Sequence, residues 1–277
     1  MTRIDAHQHF WQFEPARDGW ITDEMALLRR DYLPDDLAPL LAEQDIDGTV
    51  AVQADQSEQE TELLLGLAER QPFIKGVVGW VDLRAGDLQA RLEHFCTFPL
   101  FRGVRHIAQA EADDFLARED VGRGISRLGE LGLTYDILVY AHQLPAALTL
   151  VERLPDQAFV VDHCAKPRIR DRALEPWATH LRALARHSNV CCKVSGLVTE
   201  ARWERWRPED IRPYLDVVFE AFGTNRLMFG SDWPVCLLAG SYARVTELID
   251  RYAEQLSADE RTDVFGGTAV RFYGLKR

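Results

Sequence analysis

Near the start of the chain His7 and His9 stand two residues apart in Ile4-Asp-Ala-His-Gln-His9. On an extended strand that spacing puts two imidazoles on one face, about 6–7 Å apart, where they can converge on one ion or one substrate oxygen. Asp5 is in phase with them, and Ile4 and Ala6 point the other way. A His-x-His pair alone is a weak motif, because polar residues at a strand end satisfy it equally well. Far along the chain, Leu227-Met-Phe-Gly-Ser-Asp232-Trp-Pro234 ends an apolar run on a carboxylate and closes it with proline. Met228, Gly230 and Asp232 share a face there. If that strand lies next to the first, Asp232 is placed to act as general base beside His7 and His9.

Other runs end on polar residues of the same kind. Phe159, Val161 and His163 are in phase, so His163 is expected in the site and Asp162 on the opposite face. His142 is in phase with Tyr140 but falls either at a strand end or at the start of a helix. Arg105 and His106 must face opposite sides of a regular strand, so one of them enters the interior unless a bulge intervenes. Lys193 alternates with Cys191 and Ser195, and Trp11 and Trp80 offer flat surfaces to a sugar ring. His94, His180 and His187 sit in helical stretches and read as packing or surface residues. The sequence has no G-x-S-x-G elbow, no P-loop and no G-x-G-x-x-G, which argues against a serine nucleophile and a nucleotide cofactor.

The elements that must carry these residues are eight short apolar runs at 4–9, 48–54, 74–83, 103–109, 134–140, 158–163, 190–196 and 227–232. Amphipathic helical patterns separate them, such as the leucines at 37, 40 and 41 and at 63, 64 and 67. Strand–helix alternation implies parallel strands joined by right-handed crossovers. Eight of them in 277 residues predict an α/β chain folded as a single (β/α)8 TIM barrel over 1–277, a fold that takes roughly 250 residues. A doubly wound open sheet is the alternative. Stretches 18–31 and 198–207 follow strand ends, where barrel enzymes carry active-site loops; Trp203 and Trp206 there either cover a substrate or pack. Ser257 and Glu260 form a capping box opening a helix that ends near Gly274, with Phe272 and Tyr273 packed on the barrel.

A net charge of −12 lacks the basic footprint that nucleic acid requires and does not favour an anionic membrane. No apolar run is long enough to span a bilayer, and the start of the chain has no signal-peptide core. Five cysteines without a C-x-x-C pair read as reduced thiols in a cytoplasmic protein. The oligomeric state is not readable.

The opening Ile4-Asp-Ala-His-Gln-His-Phe-Trp11, the central Val161-Asp-His-Cys-Ala-Lys-Pro167, the late Met228-Phe-Gly-Ser-Asp-Trp-Pro234 and the terminal Gly266-Gly-Thr-Ala-Val-Arg-Phe-Tyr-Gly274 together resemble the amidohydrolase superfamily. More narrowly they resemble its sugar-lactonase branch, and the likeness spans essentially the whole chain. The resemblance implies a barrel that hydrolyses the C–O bond of a small sugar lactone. It implies a catalytic cluster at His7, His9, His163 and Asp232, with His142 or its vicinity as a fifth member. Arg105, His106, Trp11, Trp80, His142 and Lys193 are the expected substrate contacts. Arg105 and His106 stand where many members carry a metal-bridging lysine or glutamate, so one divalent ion such as zinc, on His7, His9 and Asp232, or none at all, is expected rather than two. The rival readings are an amidase or decarboxylase on the same barrel, and a non-catalytic binding barrel.

Overall fold

The computed structural model describes residues 2–276. Eight parallel strands follow one another in chain order: β1 (Ile4–Gln8), β2 (Gly48–Val52), β3 (Ile74–Gly79), β4 (Phe101–His106), β5 (Thr134–Ile137), β6 (Phe159–Val161), β7 (Val190–Val194) and β8 (Leu227–Phe229). Helices α1 (Pro34–Glu43), α2 (Glu58–Arg70), α3 (Leu88–Cys96), α4 (Glu119–Glu130), α5 (Leu144–Arg153), α6 (Trp177–Ala185), α7 (Pro208–Phe222) and α8 (Tyr242–Tyr252) come one after each strand. The open-sheet alternative is excluded by the seam. Just past β8, the Asp232 amide donates to His7 O at 2.8 Å and the His9 amide donates to Trp233 O at 2.7 Å, joining the last strand to the first. The ordered strands stop two to four residues short of most expected ends, because those ends bend into the mouth as loops.

Alternation along the strands sorts the core into two shells. Val77, Val104, Tyr135, Phe159, Val161, Val194 and Phe229 face the helices. Ile4, Ala6, Val50, Val52, Val78, Val160 and Met228 face inward and pack with Ala269, Tyr273 and Leu275. The last three come from the C-terminal segment, where α9 (Ala258–Thr262) and α10 (Thr268–Tyr273) bring side chains across the lower end of the barrel. The Ser257–Glu260 capping box forms as expected.

Above this apolar plug lies a layer of buried charge. Lys193 is fully buried, with Nζ 2.5 Å from Asp136 Oδ2 and 3.1 Å from Asp162 Oδ1. Tyr273 OH donates to Asp136 Oδ2 at 2.9 Å, and Arg105 Nη1 donates to Asp162 Oδ2 at 3.1 Å. Burial, helped by the neighbouring Asp162 charge, pushes the Asp136 carboxyl up, to about 6, against the pull of Lys193. At Asp162 burial is outweighed by Lys193, His7 and Arg105, which hold it well below the usual carboxylate range.

Removing one partner from such a network strands the others without water. Lys193→Met is therefore expected to lower unfolding stability by about 3–5 kcal/mol, read from urea or guanidinium unfolding. A midpoint equal to that of the parent would show that the two aspartates need no counter-charge.

Candidate active site

The histidine pair owes its geometry to an irregularity in β1. The β1–β2 register shifts between Asp5 and Gln8, so the strand does not alternate strictly. Ile4 and Ala6 pack inward, and His7 and His9 also reach the interior, where they meet Lys193 and Asp232. Asp5 turns outward instead and accepts from the Ser231 amide at 2.8 Å and from Tyr242 OH at 3.1 Å. The expectation that Asp5, His7 and His9 share one face is corrected accordingly.

Strand six is corrected as well. Val160 is the inward residue, so regular alternation brings Asp162, not His163, into the barrel. His163 enters by a different route. From His163 to Lys166 four consecutive residues take positive φ, 51°, 52°, 57° and 47°, and this left-handed turn swings the imidazole back over the interior. Such backbone is costly for residues with a Cβ. His163 Nδ1 pairs with Ser195 Oγ at 2.9 Å, and Gly196, itself at φ 64°, leaves room for the ring. A Cβ on Gly196 would lie 2.6 Å from His163 Nδ1.

The cluster is compact. Asp232 Oδ1 lies 3.4 Å from His9 Nε2, 3.8 Å from His163 Nε2 and 3.9 Å from His7 Nε2. His9 Nδ1 donates to Val52 O at 2.8 Å, so its Nε2 lone pair faces the mouth. His7 Nδ1 lies 3.4 Å from Asp162 and 3.1 Å from Lys193 Nζ, while its Nε2 is 3.2 Å from His9 Nε2. Burial drives all three imidazoles below their ordinary value, His7 and His163 well below it, against the pull of Asp162 and Asp232. Burial opposes the Asp232 charge too, but His163, His9 and Lys166 beside it outweigh that and lower its pKa. Burial therefore favours neutral rings, while Lys166 and any imidazole that takes a proton favour the ionised carboxylate.

These are the forms that bind a metal ion. His7 Nε2, His9 Nε2 and Asp232 Oδ1 lie within 4.8 Å of one another. Ligand bonds of about 2.0–2.1 Å around a tetrahedral ion set donors roughly 3.3 Å apart, close to the separations above. A second grouping, His7, Asp162 and His163, is less suited, since Asp162 is already engaged by Lys193 and Arg105.

Above the cluster opens a cavity of about 290 Å³. His9, His163, Asp232 and Arg105 form part of its floor and walls. Trp11, Trp20, Ile107, Leu138 and Val235 supply apolar surface, and Gln56, Gln109 and Lys166 supply polar groups. The Arg105 side chain is oriented by Gln53, whose Oε1 accepts from Nε at 2.9 Å and whose backbone carbonyl accepts from Nη2.

Four of the expected substrate contacts lie elsewhere. His106 faces away from Arg105, stacks on Phe115 and pairs with Glu111 at 2.9 Å. Trp80 stands behind it, donating from Nε1 to His106 Nδ1 at 3.3 Å. His142 is exposed, 3.2 Å from exposed Asp113. Lys193 is sealed beneath the cluster and reaches a ligand only through His7. The tryptophans of 198–207 pack: Trp206 Nε1 donates to Ala239 O and Trp203 Nε1 to Thr199 O. The sequence reading missed Asp136, Gln53 and Lys166, and placed Asp162 on the outer face. Asp136, a lone carboxylate between Tyr135 and Ile137, was the available signal.

An eight-stranded parallel barrel with imidazoles and a carboxylate gathered at its C-terminal mouth has the build of a hydrolase that works on a small molecule. Residues 4–275 match the family model described as Amidohydrolase, and the chain belongs to that family. It is 46% identical to an L-fucono-1,5-lactonase of Burkholderia multivorans, over 99% of this chain and 96% of the relative. It is 41% identical to an L-fucono-1,5-lactonase of Burkholderia ambifaria, with the same coverage. A crystal structure of a Burkholderia multivorans amidohydrolase with bound Zn superposes with a TM-score of 0.96 at 45% identity, covering 100% of both chains.

Gly196→Ala should lose about 1–3 kcal/mol from its positive φ alone and more from the collision with His163, measurable as a lowered unfolding midpoint. Unchanged stability would mean that the imidazole has another place to go.

Proposed function

We propose that this protein opens the ring of a sugar lactone, L-fucono-1,5-lactone or a close aldonolactone, to the aldonic acid, with Asp232 as general base. The observation that carries the reading is the Asp232 carboxylate, 3.4–3.9 Å from three imidazoles, at the floor of a cavity of about 290 Å³. The two relatives named L-fucono-1,5-lactonase support the substrate.

Asp232 Oδ1 faces the imidazoles, which leaves Oδ2 to take a proton from water as the water attacks the lactone carbonyl carbon. Negative charge then develops on the carbonyl oxygen, where the Arg105 guanidinium stabilises it. The acyl C–O bond of the ring breaks, and the proton held by Asp232 goes to the departing ring oxygen. Trp11 gives the sugar ring a flat wall. His7, His9 and Asp232 are the residues we assign to one zinc ion, in line with the zinc found in the related crystal structure. When bound, such an ion supplies Lewis-acid polarisation of the carbonyl and acidifies water.

The test is acid release from a panel of aldonolactones, followed with a pH indicator, before and after exhaustive chelation and zinc restoration. Acid release from L-fucono-1,5-lactone that chelation abolishes and zinc restores is expected. Ammonia or CO2 release from other substrates, with no lactone turnover, would overturn the reading, and full activity after chelation would remove the metal from it.

The pH profile is a second check. Asp232 is depressed below its ordinary 3.8 and the imidazoles lie below 6.5, so lowering the pH protonates none of them near 6.5. We expect kcat/KM to stay level through pH 6.5 and to fall only in more acidic solution. A drop centred near 6.5 would point to an ordinary histidine as the base.

A further inference from the structure

The glutamines around the mouth differ in what they hold. Gln53 binds Arg105 and Asp55, Gln8 binds Thr49, and Gln143 donates to Ala108 O and Glu111 O. Each fixes protein to protein. Gln109, which lines the catalytic cavity, makes no side-chain hydrogen bond among the described residues, and its Oε1 is buried without a partner. Its backbone is nonetheless held firmly, the amide donating to Leu138 O at 3.1 Å. A buried amide oxygen without a partner is unfavourable, and native proteins keep few of them. Nothing has to be broken for this side chain to turn toward a ligand.

Gln56 stands on the same wall. Its Oε1 accepts from the Ile107 amide at 2.8 Å, which orients the side chain, and its Nε2 has no protein partner among the described residues. Ile107 is two residues before Gln109, so one short segment after β4 both carries Gln109 and orients Gln56, which follows β2. Around these amides the wall is apolar, from Leu138, Val235, Ala54 and Ala110, and the other polar side chains of the cavity are Lys166 and the groups of the catalytic cluster.

We infer that Gln109, with Gln56 beside it, is the specificity-determining group that hydrogen-bonds ring hydroxyls of the substrate. This rests on the lactonase reading above. A site built to pair with a hydroxyl discriminates against analogues that lack it, because the protein group is left unpaired. The hydroxyl donates to Gln109 Oε1 and accepts from an amide N–H, so both ends of the amide are used.

The experiment compares a polyhydroxylated sugar δ-lactone with δ-valerolactone, the same ring without hydroxyls. For Gln109→Leu, kcat/KM for the sugar lactone is expected to fall roughly 10- to 100-fold, with δ-valerolactone changed less than about threefold. An equal loss on both lactones would mark Gln109 as merely structural, and no loss on either would show that it reads nothing. If Gln109→Leu does not fold, Gln109→Ser, too short to reach, serves in its place with the same expectations. Absence of turnover of both lactones by the parent protein would sink the lactonase reading. The inference is then decided by calorimetry with a polyhydroxylated δ-lactam against piperidin-2-one: weaker binding of the former alone in Gln109→Leu supports it, and equal binding to both proteins overturns it.

Discussion

The ammonium of Lys193 is held between Asp136 and Asp162 in the middle of the barrel, out of reach of water. Desolvating three charges is expensive, and their mutual attraction offsets that only when the geometry is good and every partner stays. Other features follow from this contact. It keeps Asp162 ionised, Asp162 and Lys193 together fix the Nδ1 edge of His7, and Arg105 is drawn to the same carboxylate from the neighbouring strand. Tyr273 extends the network downward, so the C-terminal helix both seals the barrel floor and bonds to the layer under the site.

The mouth depends on backbone as much as on charge. Asp232 is itself at φ 59°, and the seam bonds from Asp232 to His7 and from His9 to Trp233 set the carboxylate and the histidine pair against each other at a fixed distance. Gly230 makes this possible, since a Cβ there would come 2.7 Å from His7 Cβ. Strain of this sort persists only where surrounding structure over-determines it. Here the closed ring of strands does so, from β7 through β8 to β1.

The barrel was legible because eight β-branched runs alternate with amphipathic helices, and periodicity reports burial directly. His7, His9, His163 and Asp232 were legible as polar residues ending apolar runs. Strict alternation misled where the backbone departs from it. The register shift in β1 turned Asp5 away, and the left-handed turn at His163–Lys166 admitted His163 beside Asp162, which regular alternation already brings in. No residue pattern announces either. The buried ion Asp136 escaped notice, and Asp162 was assigned to the outer face, because charged residues are almost never fully buried unless paired, and their partners lie on other strands. His142 and His106 show the reverse error: a histidine near a strand end is not in the site when its ring turns to the surface or to the helix layer.

The lactonase mechanism turns on a single carboxylate taking and returning a proton. Its most direct test is kcat of Asp232→Asn on L-fucono-1,5-lactone at neutral pH, with circular dichroism and unfolding confirming that the variant is folded. The scheme predicts a fall of about 10²–10⁴-fold, since the amide keeps the shape and cannot accept the proton. Turnover within a few-fold of the parent would contradict it and move the general base to another group at the mouth.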